Sequence, residues 1–460
     1  MKPIKVLLFA NSDWYLYNFR RNLAYALVEQ GHDVVLVSPA GKYGDRLQEL
    51  GFRWVAAPMV RSSLNPLREL RLLLWLRRLI RDEQVEVVHG FTIKAAVYGA
   101  LASRLAGRCG SVSSIAGLGY VFINSGLKAR ILQAVLRVLF DLSFGGKACE
   151  VIVQNETDGE FFTSRKLVAR RQLSVIPGSG IDCLHYAPRV EAGASHLESG
   201  TQSTQSGARG TEPGGPSTGP RADSTEPGTS SSRPGNTETG RNRPPRILVA
   251  SRLLWDKGLA EFVEAAEILR GRGCEAEFLI AGSADSGNPA TVADADIERW
   301  AQTGTVQLLG HVDDMRSLLH TVDLAVLPSY REGLPKSLLE AAACGLPAVT
   351  TDVPGCRDVV DHDVSGYLVP PRQVEALANA IERMLQNPAE MRRMGENARR
   401  RAEQEFDARI ITRRTIATYG RVLAALESAD IVALPNRAFS AQTPLAARGD
   451  DARTKEDRAA

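Results

Sequence analysis

Short apolar runs alternate along most of the chain with amphipathic stretches of helical length. Before residue 189 the runs are Ile4–Ala10, Val34–Ser38, Val85–His89, Ser111–Ile115 and Val151–Gln154. From residue 246 onward they are Arg246–Ser251, Glu277–Ala281, Val306–Leu309, Asp323–Leu327 and Ala348–Thr351. Runs this short and this continuously apolar predict strands buried on both faces, and helices between them predict βα repeats around parallel sheets. The intervening helices carry ordinary stop signals, with Gly31 after Arg20–Gln30 and Gly345 after Leu338–Cys344. The expected fold class is therefore α/β, with two doubly wound domains. In such sheets ligands bind beyond the carboxyl ends of the strands, so a cleft between the domains is the expected site.

The pattern fails over 189–245, where Gly, Pro, Ser and Thr supply 34 of 57 residues and no aromatic occurs. A segment of that composition cannot bury enough surface to offset its ordering entropy, so it reads as a disordered linker that adds slack between the domains. The small and charged residues of 429–460 read as a disordered tail. The expected organisation is a first domain over 1–188, the linker, a second domain over 246–428, and the tail. The helix Ala408–Glu427 is expected to return to the first domain.

Composition narrows the picture further. With 44% hydrophobic and 24% charged residues in 460, the chain is neither collagen-like, coiled-coil nor wholly disordered. Its six cysteines lie far apart with no CxxC, which suggests neither a disulfide framework nor a zinc site. No run reaches the roughly 18 apolar residues of a membrane span, and VLLFA after Lys5 is shorter than a signal-peptide core. A reduced, cytoplasmic chain is the expectation. The overall charge of +3 conceals an asymmetry of +9 over 1–188 and −6 over 246–428. A basic first half suits an anionic surface or substrate. Nucleic acid is not the expected partner, because aromatic residues are not interleaved with the basic ones.

The most informative stretch is PSYREGLPKSLLEAAACGLP, Pro328 to Pro347. It follows an apolar strand, passes through a Gly/Pro loop and enters a helix for which Pro335 is a natural first residue. The first turn then presents free backbone N–H groups around Lys336, Ser337 and Leu338, together with the positive end of the helix dipole, a place for phosphate. Glu332 lies before the helix and Glu340 within it, a spacing that suits two ends of a nucleotide sugar. A capped helix with surface glutamates is the plainer reading. In SRLLWDKG, Ser251 to Gly258, Arg252 and Lys257 emerge from one strand-to-helix loop. Two cations there could neutralise a diphosphate, or be solvated loop charges.

Arg252 through Lys257, LLGHVDDMRSLL (Leu308–Leu319), Pro328–Pro347 and TDVPGCRDVV (Thr351–Val360) together resemble the second domain of family 4 of the retaining glycosyltransferases. Glu332 and Glu340 reproduce that family's Glu-x7-Glu pair in its EGLP setting. The resemblance covers nearly the whole chain apart from linker and tail. It implies the GT-B architecture, two Rossmann-like domains facing across a cleft. It also implies a division of roles. Arg252 and Lys257 would bind the donor diphosphate, with Glu332 close to the anomeric carbon as the third catalytic residue. Glu340 would hold the ribose hydroxyls, and Gly333, Leu334, Lys336, Ser337, Leu338 and His311 would line the donor site. The family's reaction retains anomeric configuration by front-face attack, a donor phosphate oxygen drawing the acceptor proton, so no protein base is assigned. DAD (Asp294–Asp296) and DHD (Asp361–Asp363) sit in polar helix-start or turn contexts, and neither a metal nor a cofactor is expected.

The opening segment NSDWYLYNFR (Asn11–Arg20) lacks the Gly-Gly turn of many relatives. With FTIKAAVYG (Phe91–Gly99) and SIAGLGYVF (Ser114–Phe122), it resembles a subgroup that extends polyprenyl-diphosphate-linked sugars, among them N-acetylhexosaminyltransferases acting on undecaprenyl diphosphate carriers. The resemblance places Asp13, Arg20 and Lys94 on the acceptor side and implies a UDP-sugar donor and a lipid-linked saccharide acceptor. Ala116-Gly117 stands where many members have His-Gly. His89 at a strand end could substitute, or be a core histidine. The stretch Arg61–Arg81 reads as a basic amphipathic helix in which Trp75, Arg77 and Arg78 could meet the cytoplasmic face of a membrane. A core-facing helix with a solvated arginine face is the alternative. Leu127–Phe144 is a second such candidate. A nucleotide-sugar epimerase of the same fold, or a catalytically silent partner subunit, would share most of these features.

Overall fold

The continuous apolar runs form the strands of two parallel sheets. The computed structural model describes residues 2–61, 63, 65–115, 137–189, 243–285 and 288–433. In the first sheet β1 (Lys5–Phe9), β2 (Asp33–Ser38), β3 (Arg53–Ala56), β4 (Val87–Phe91), β5 (Gly110–Ile115), β6 (Cys149–Val153) and β7 (Leu173–Val175) lie in the order β3-β2-β1-β4-β5-β6-β7. In the second, β8 (Arg246–Ala250), β9 (Glu277–Ala281), β10 (Gln307–Gly310), β11 (Leu324–Leu327), β12 (Ala348–Thr351) and β13 (Gly366–Val369) lie in the order β10-β9-β8-β11-β12-β13. The strand order reverses between β1 and β4 (Val6 opposite Val87) and between β8 and β11 (Leu324 opposite Ile247). Those two reversals are where a doubly wound sheet opens a crevice for ligand.

The helices used below are α1 (Arg21–Glu29), α2 (Pro66–Asp82), α3 (Ile93–Ala106), α4 (Glu156–Ser164), α5 (Leu259–Gly271), α6 (Lys336–Ala343) and α7 (Ala408–Ala433). Two differences from the sequence reading stand out. β3, β7 and β13 were not anticipated; all three are sheet edges of only three or four residues, and β3 and β7 have no fully buried position. Part of the opening segment after β1 is helical rather than a loop. Ser12 Oγ accepts from the Tyr15 N–H at 3.2 Å to start a short turn over Asp13–Tyr15, and a π-helical turn over Leu16–Arg20 leads into α1.

α7 leaves the second domain and packs on the first. Its Ile411, Ile416, Tyr419 and Val422 share one core with Ile4, Val6, Leu8, Leu23 and Leu27, and Arg421 Nε bonds the Glu150 carboxylate at 3.0 Å. The crossing in the other direction falls near 178–180, earlier than residue 188. Ile181 and Cys183 are already buried among Leu248, Leu338 and Phe406 of the second domain. The two crossings are pinned together: the Ile181 N–H donates to the Phe406 carbonyl and the Ala408 N–H to the Ile181 carbonyl, each at 2.8 Å.

This geometry corrects the expectation that the 189–245 segment lengthens the connection between domains. On one side His320 Nε2 lies 2.9 Å from the Ala187 carbonyl. On the other, Arg243 Nη1 donates to Asp323 Oδ2 at 2.8 Å. Both ends are therefore fixed to the second domain. Residues 190–242 themselves, like the tail beyond 433 and the Ala116-Gly117 position, lie outside the described residues.

Candidate active site

The site is built where β8 and β11 end. The chain leaves β8 through Ser251–Gly258 and leaves β11 through Pro328–Pro335, and the two loops interlock. Gly258 adopts φ +72°, and a Cβ there would lie 2.1 Å from the Pro328 carbonyl oxygen, so only glycine permits this approach. The Tyr330 N–H donates to the Asp256 carbonyl at 2.9 Å. The interlock brings Lys257 to Glu332: Nζ lies 2.6 Å from Oε1, and Ser329 Oγ donates to the same oxygen at 2.8 Å. Side-chain exposures of 11% and 15% make this a sheltered ion pair rather than a solvated one. Glu332 is pressed from behind by Gly355, whose left-handed φ of +84° and missing Cβ admit the Glu332 backbone.

α6 begins directly after this loop, with Pro335 at its N-cap and Leu339 the first residue to bond back into it. The N–H groups of Lys336, Ser337 and Leu338 have no intrahelical acceptor and point toward the cleft end of the helix. The Leu338 side chain is core, so this residue can offer a ligand only its backbone. Glu340 is buried one turn later. Its Oε1 accepts from Tyr186 Oη at 2.9 Å and lies 3.3 Å from Lys336 Nζ. Burial first, then the Glu340 charge, pushes the Tyr186 phenol far up, so it stays a donor and orients the carboxylate. Tyr186 was not singled out from the sequence. It lies 154 residues from Glu340, on the strap that enters the second domain at 181.

Arg252 faces Asp285 at 2.5 Å with its side chain 52% exposed. Each cation of the cluster thus meets a carboxylate: Lys257 meets Glu332, Arg252 meets Asp285, and Lys336 meets Glu340. Each is a contact that a phosphate oxygen, itself an anionic acceptor, can replace. His311 stands apart, on the loop after β10, two strands from the reversal. Its side chain is 64% exposed and 3.3 Å from Asp313. The acidic triplets lie elsewhere and are paired, Asp296 with Arg299 at 2.7 Å and Asp361 with Arg401 at 2.8 Å.

The first domain uses its candidate residues differently. Asp13 is buried, and its carboxylate accepts from the N–H groups of Trp14 (2.8 Å), Tyr43 (2.6 Å) and Gly44 (3.0 Å). This corrects its assignment as an acceptor ligand: the side chain is occupied in fixing the loop after β2. Lys94 is corrected likewise. Its Nζ donates to the carbonyls of Val60 and Ser63 and to Glu69 at 2.8–2.9 Å, tying the approach to α2 onto α3. His89 is fully buried between Tyr419 Oη and Ser114 Oγ, each 2.7 Å away. Burial first, and then the Arg20 charge, holds it well below the usual histidine range, so it is neutral core.

Arg20 remains. It is 4% exposed, its guanidinium is 4.2 Å from the Phe91 ring centroid, and its Nε has no hydrogen-bond partner. No carboxylate among the described residues pairs with it. Phe91 ends β4, so this buried cation lies at the first sheet's strand reversal.

On α2, Leu72, Leu76 and Ile80 face the core, and Trp75 packs beside them. Trp75 is therefore not the surface anchor expected. Arg77 is occupied as well, donating to the Leu105 carbonyl at 3.0 Å. The outward stripe is instead Leu67, Leu70 and Leu74, which are 77%, 52% and 51% exposed. Arg68, Arg71, Arg78 and Arg81 are exposed around it. Of Leu127–Phe144 only 137–144 is described, a helical segment with Val138 and Leu142 exposed.

Two facing doubly wound domains, with cations, a glutamate pair and a helix N-terminus at the second reversal, define a nucleotide-sugar transferase architecture. Comparison with known families agrees. The glycosyl transferases group 1 model matches residues 237–401, and the glycosyl transferase 4-like domain model matches residues 18–178. The chain belongs to these GT-B glycosyltransferases. One relative is the N,N'-diacetylbacillosaminyl-diphospho-undecaprenol alpha-1,3-N-acetylgalactosaminyltransferase of Campylobacter jejuni. It is 27% identical over 409 residues, which is 89% of this chain and 96% of the relative. A second is the Escherichia coli UDP-Gal:alpha-D-GlcNAc-diphosphoundecaprenol alpha-1,3-galactosyltransferase, 22% identical over 76% of this chain and 79% of its own. Among solved structures, Anabaena HepE in complex with UDP superposes with a TM-score of 0.66 at 20% identity, covering 91% of this chain and 100% of that one.

Proposed function

We propose that the protein transfers a sugar, an N-acetylhexosamine, from a UDP-sugar to a polyprenyl-diphosphate-linked saccharide, with retention at the anomeric carbon and without metal or cofactor. The observation that carries this reading is the sheltered Lys257–Glu332 pair beside the open N-terminus of α6, at the reversal of the second sheet. The relatives named above supply the donor and acceptor classes. In the proposed reaction the bond between the anomeric carbon and the donor phosphate breaks, and UDP leaves with the electron pair. Lys257 turns from Glu332 to the leaving diphosphate, joined by Arg252 and the α6 amides in the role a metal has elsewhere. The freed Glu332 carboxylate faces the sugar near its anomeric carbon. Glu340, oriented by Tyr186, accepts from the ribose hydroxyls. The acceptor hydroxyl attacks the same face, and its proton passes to a departing phosphate oxygen.

On the acceptor side, Arg20 faces no carboxylate among the described residues: Nη2 donates to Tyr15 Oη at 2.9 Å while Nε has no partner, and a buried guanidinium without a counter-ion suits the acceptor's phosphate. The outward Leu67, Leu70 and Leu74 with their arginines, flanking α3, suit an anionic bilayer, and on this reading the enzyme works at the cytoplasmic face of the membrane. Among the described residues no helix is long and apolar enough to cross a membrane. The test is thermal shift against UDP-, GDP- and ADP-sugars in EDTA, beside Glu340→Ala, followed by product analysis with a lipid-diphosphate acceptor. One UDP-sugar should stabilise the parent and not the variant. A shift with no nucleotide sugar, or sugar interconversion without acceptor, would replace this reading with the silent-subunit or epimerase alternative.

A further inference from the structure

The loop that carries Glu332 is held from the opposite domain. Asn155, between β6 and α4, accepts from the Asp158 N–H through Oδ1 at 2.8 Å and donates through Nδ2 to the Gly333 carbonyl at 2.9 Å. Asp158 Oδ1 accepts from Arg331 Nη2 at 2.9 Å. The two contacts grip the residues on either side of Glu332. From the second domain's own side the same loop is backed by the Glu332 N–H bond to the Pro354 carbonyl at 3.3 Å. The Asp158 side chain is 2% exposed, against 32% for Arg331.

The pair is an expensive way to hold two domains together. Burial raises the Asp158 carboxyl, the Asp358 charge adds to that, and Arg331 and Asn155 oppose it without overcoming it. With its folded value above the ordinary one, Asp158 favours folding in its protonated form, so its contribution to stability falls as pH rises through the shifted value. Arg331 and Asn155 offset part of the cost of charging this buried carboxyl, and the contact they make fixes the geometry of the loop between them.

We propose that Asn155 and Asp158 are positioning residues for the transfer reaction, gripping Arg331 and Gly333 so that Glu332 is correctly aimed only when the two domains are closed on each other. The proposal rests on the transferase reading above. It separates two parts of the donor site. Glu340 and the α6 amides are fixed by the second domain's helix and its strap, so nucleotide binding should survive loss of the clamp. The aim of Glu332 should not.

The experiment measures steady-state kinetics and UDP affinity by calorimetry on full-length Asn155→Ala, Asp158→Asn, Arg331→Gln and Arg331→Lys. The first three should lose about tenfold to a hundredfold in kcat while UDP affinity stays within about twofold, the signature of misaimed rather than missing groups. Arg331→Lys, which keeps the cation, should recover part of the kcat that Arg331→Gln loses. Unchanged kcat in Asp158→Asn and Arg331→Gln, or losses in kcat that track equal losses in UDP affinity and melting temperature, would overturn the clamp. Absence of turnover in the parent would overturn the transferase reading itself, and the two failures are thereby told apart.

Discussion

The two faces of the cleft spend their polar residues in opposite ways. On the second domain the charged groups pair with one another at the mouth of the sheet, Lys257 with Glu332 and Lys336 with Glu340, in contacts a ligand can replace. On the first domain Asp13, Lys94 and His89 are consumed by backbone groups and buried hydroxyls, and only Arg20 is left without a polar commitment at Nε. One face is chemistry held in reserve, and the other is scaffolding around a single cation. Residue type alone does not separate the two, because an aspartate closing a loop and an aspartate awaiting a ligand look the same in sequence.

The contrast is broken or sharpened most strongly at Lys257. Lys257→Met should remove the cation that the proposed reaction sets against the leaving diphosphate and lower kcat by about two to three orders of magnitude, with melting temperature nearly unchanged, read by initial rates and calorimetry. Asp13→Ala should do the reverse. Three N–H groups would lose their acceptor, for a destabilisation of about 2–3 kcal/mol by denaturant titration, while UDP binding persists. If Asp13→Ala left stability intact and abolished acceptor use, the scaffolding view of the first domain would be wrong. The smallest effect is expected on α2. Replacing Leu67, Leu70 and Leu74 with serine should weaken sedimentation with anionic liposomes by about tenfold without altering donor binding, since exposed leucines contribute to interfacial partition rather than to the core. Sedimentation unchanged from the parent would remove the membrane from the proposal.

How much of this was legible in the chain follows from physical position. Central strands such as Leu324–Leu327 are buried on both faces and announce themselves as unbroken apolar runs. Edge strands such as Arg53–Ala56 need only half that burial, and RWVA offers a three-residue apolar run with no fully buried position. The second-domain site was readable because its pieces sit at the starts and ends of elements within single motifs, where spacing constrains geometry. Tyr186, Asn155 and Asp158 were not, because each meets its partner across more than a hundred residues. Asn155 offered one local signal, an asparagine three residues before an aspartate at a helix start, which indicates a cap and says nothing about what else the side chain reaches. On α2 the helical period was evident, but the phase was not. Trp75 packs on the core, while Leu67, Leu70 and Leu74 of the same helix point outward.

Both ends of the 189–245 segment are fastened to the same domain, and the covalent path between domains consists of two short crossings bonded to each other at Ile181 and Phe406–Ala408. The reach of domain closure is therefore independent of how long that segment is. A change in its length alters a connection within the second domain and leaves the two crossings as they are.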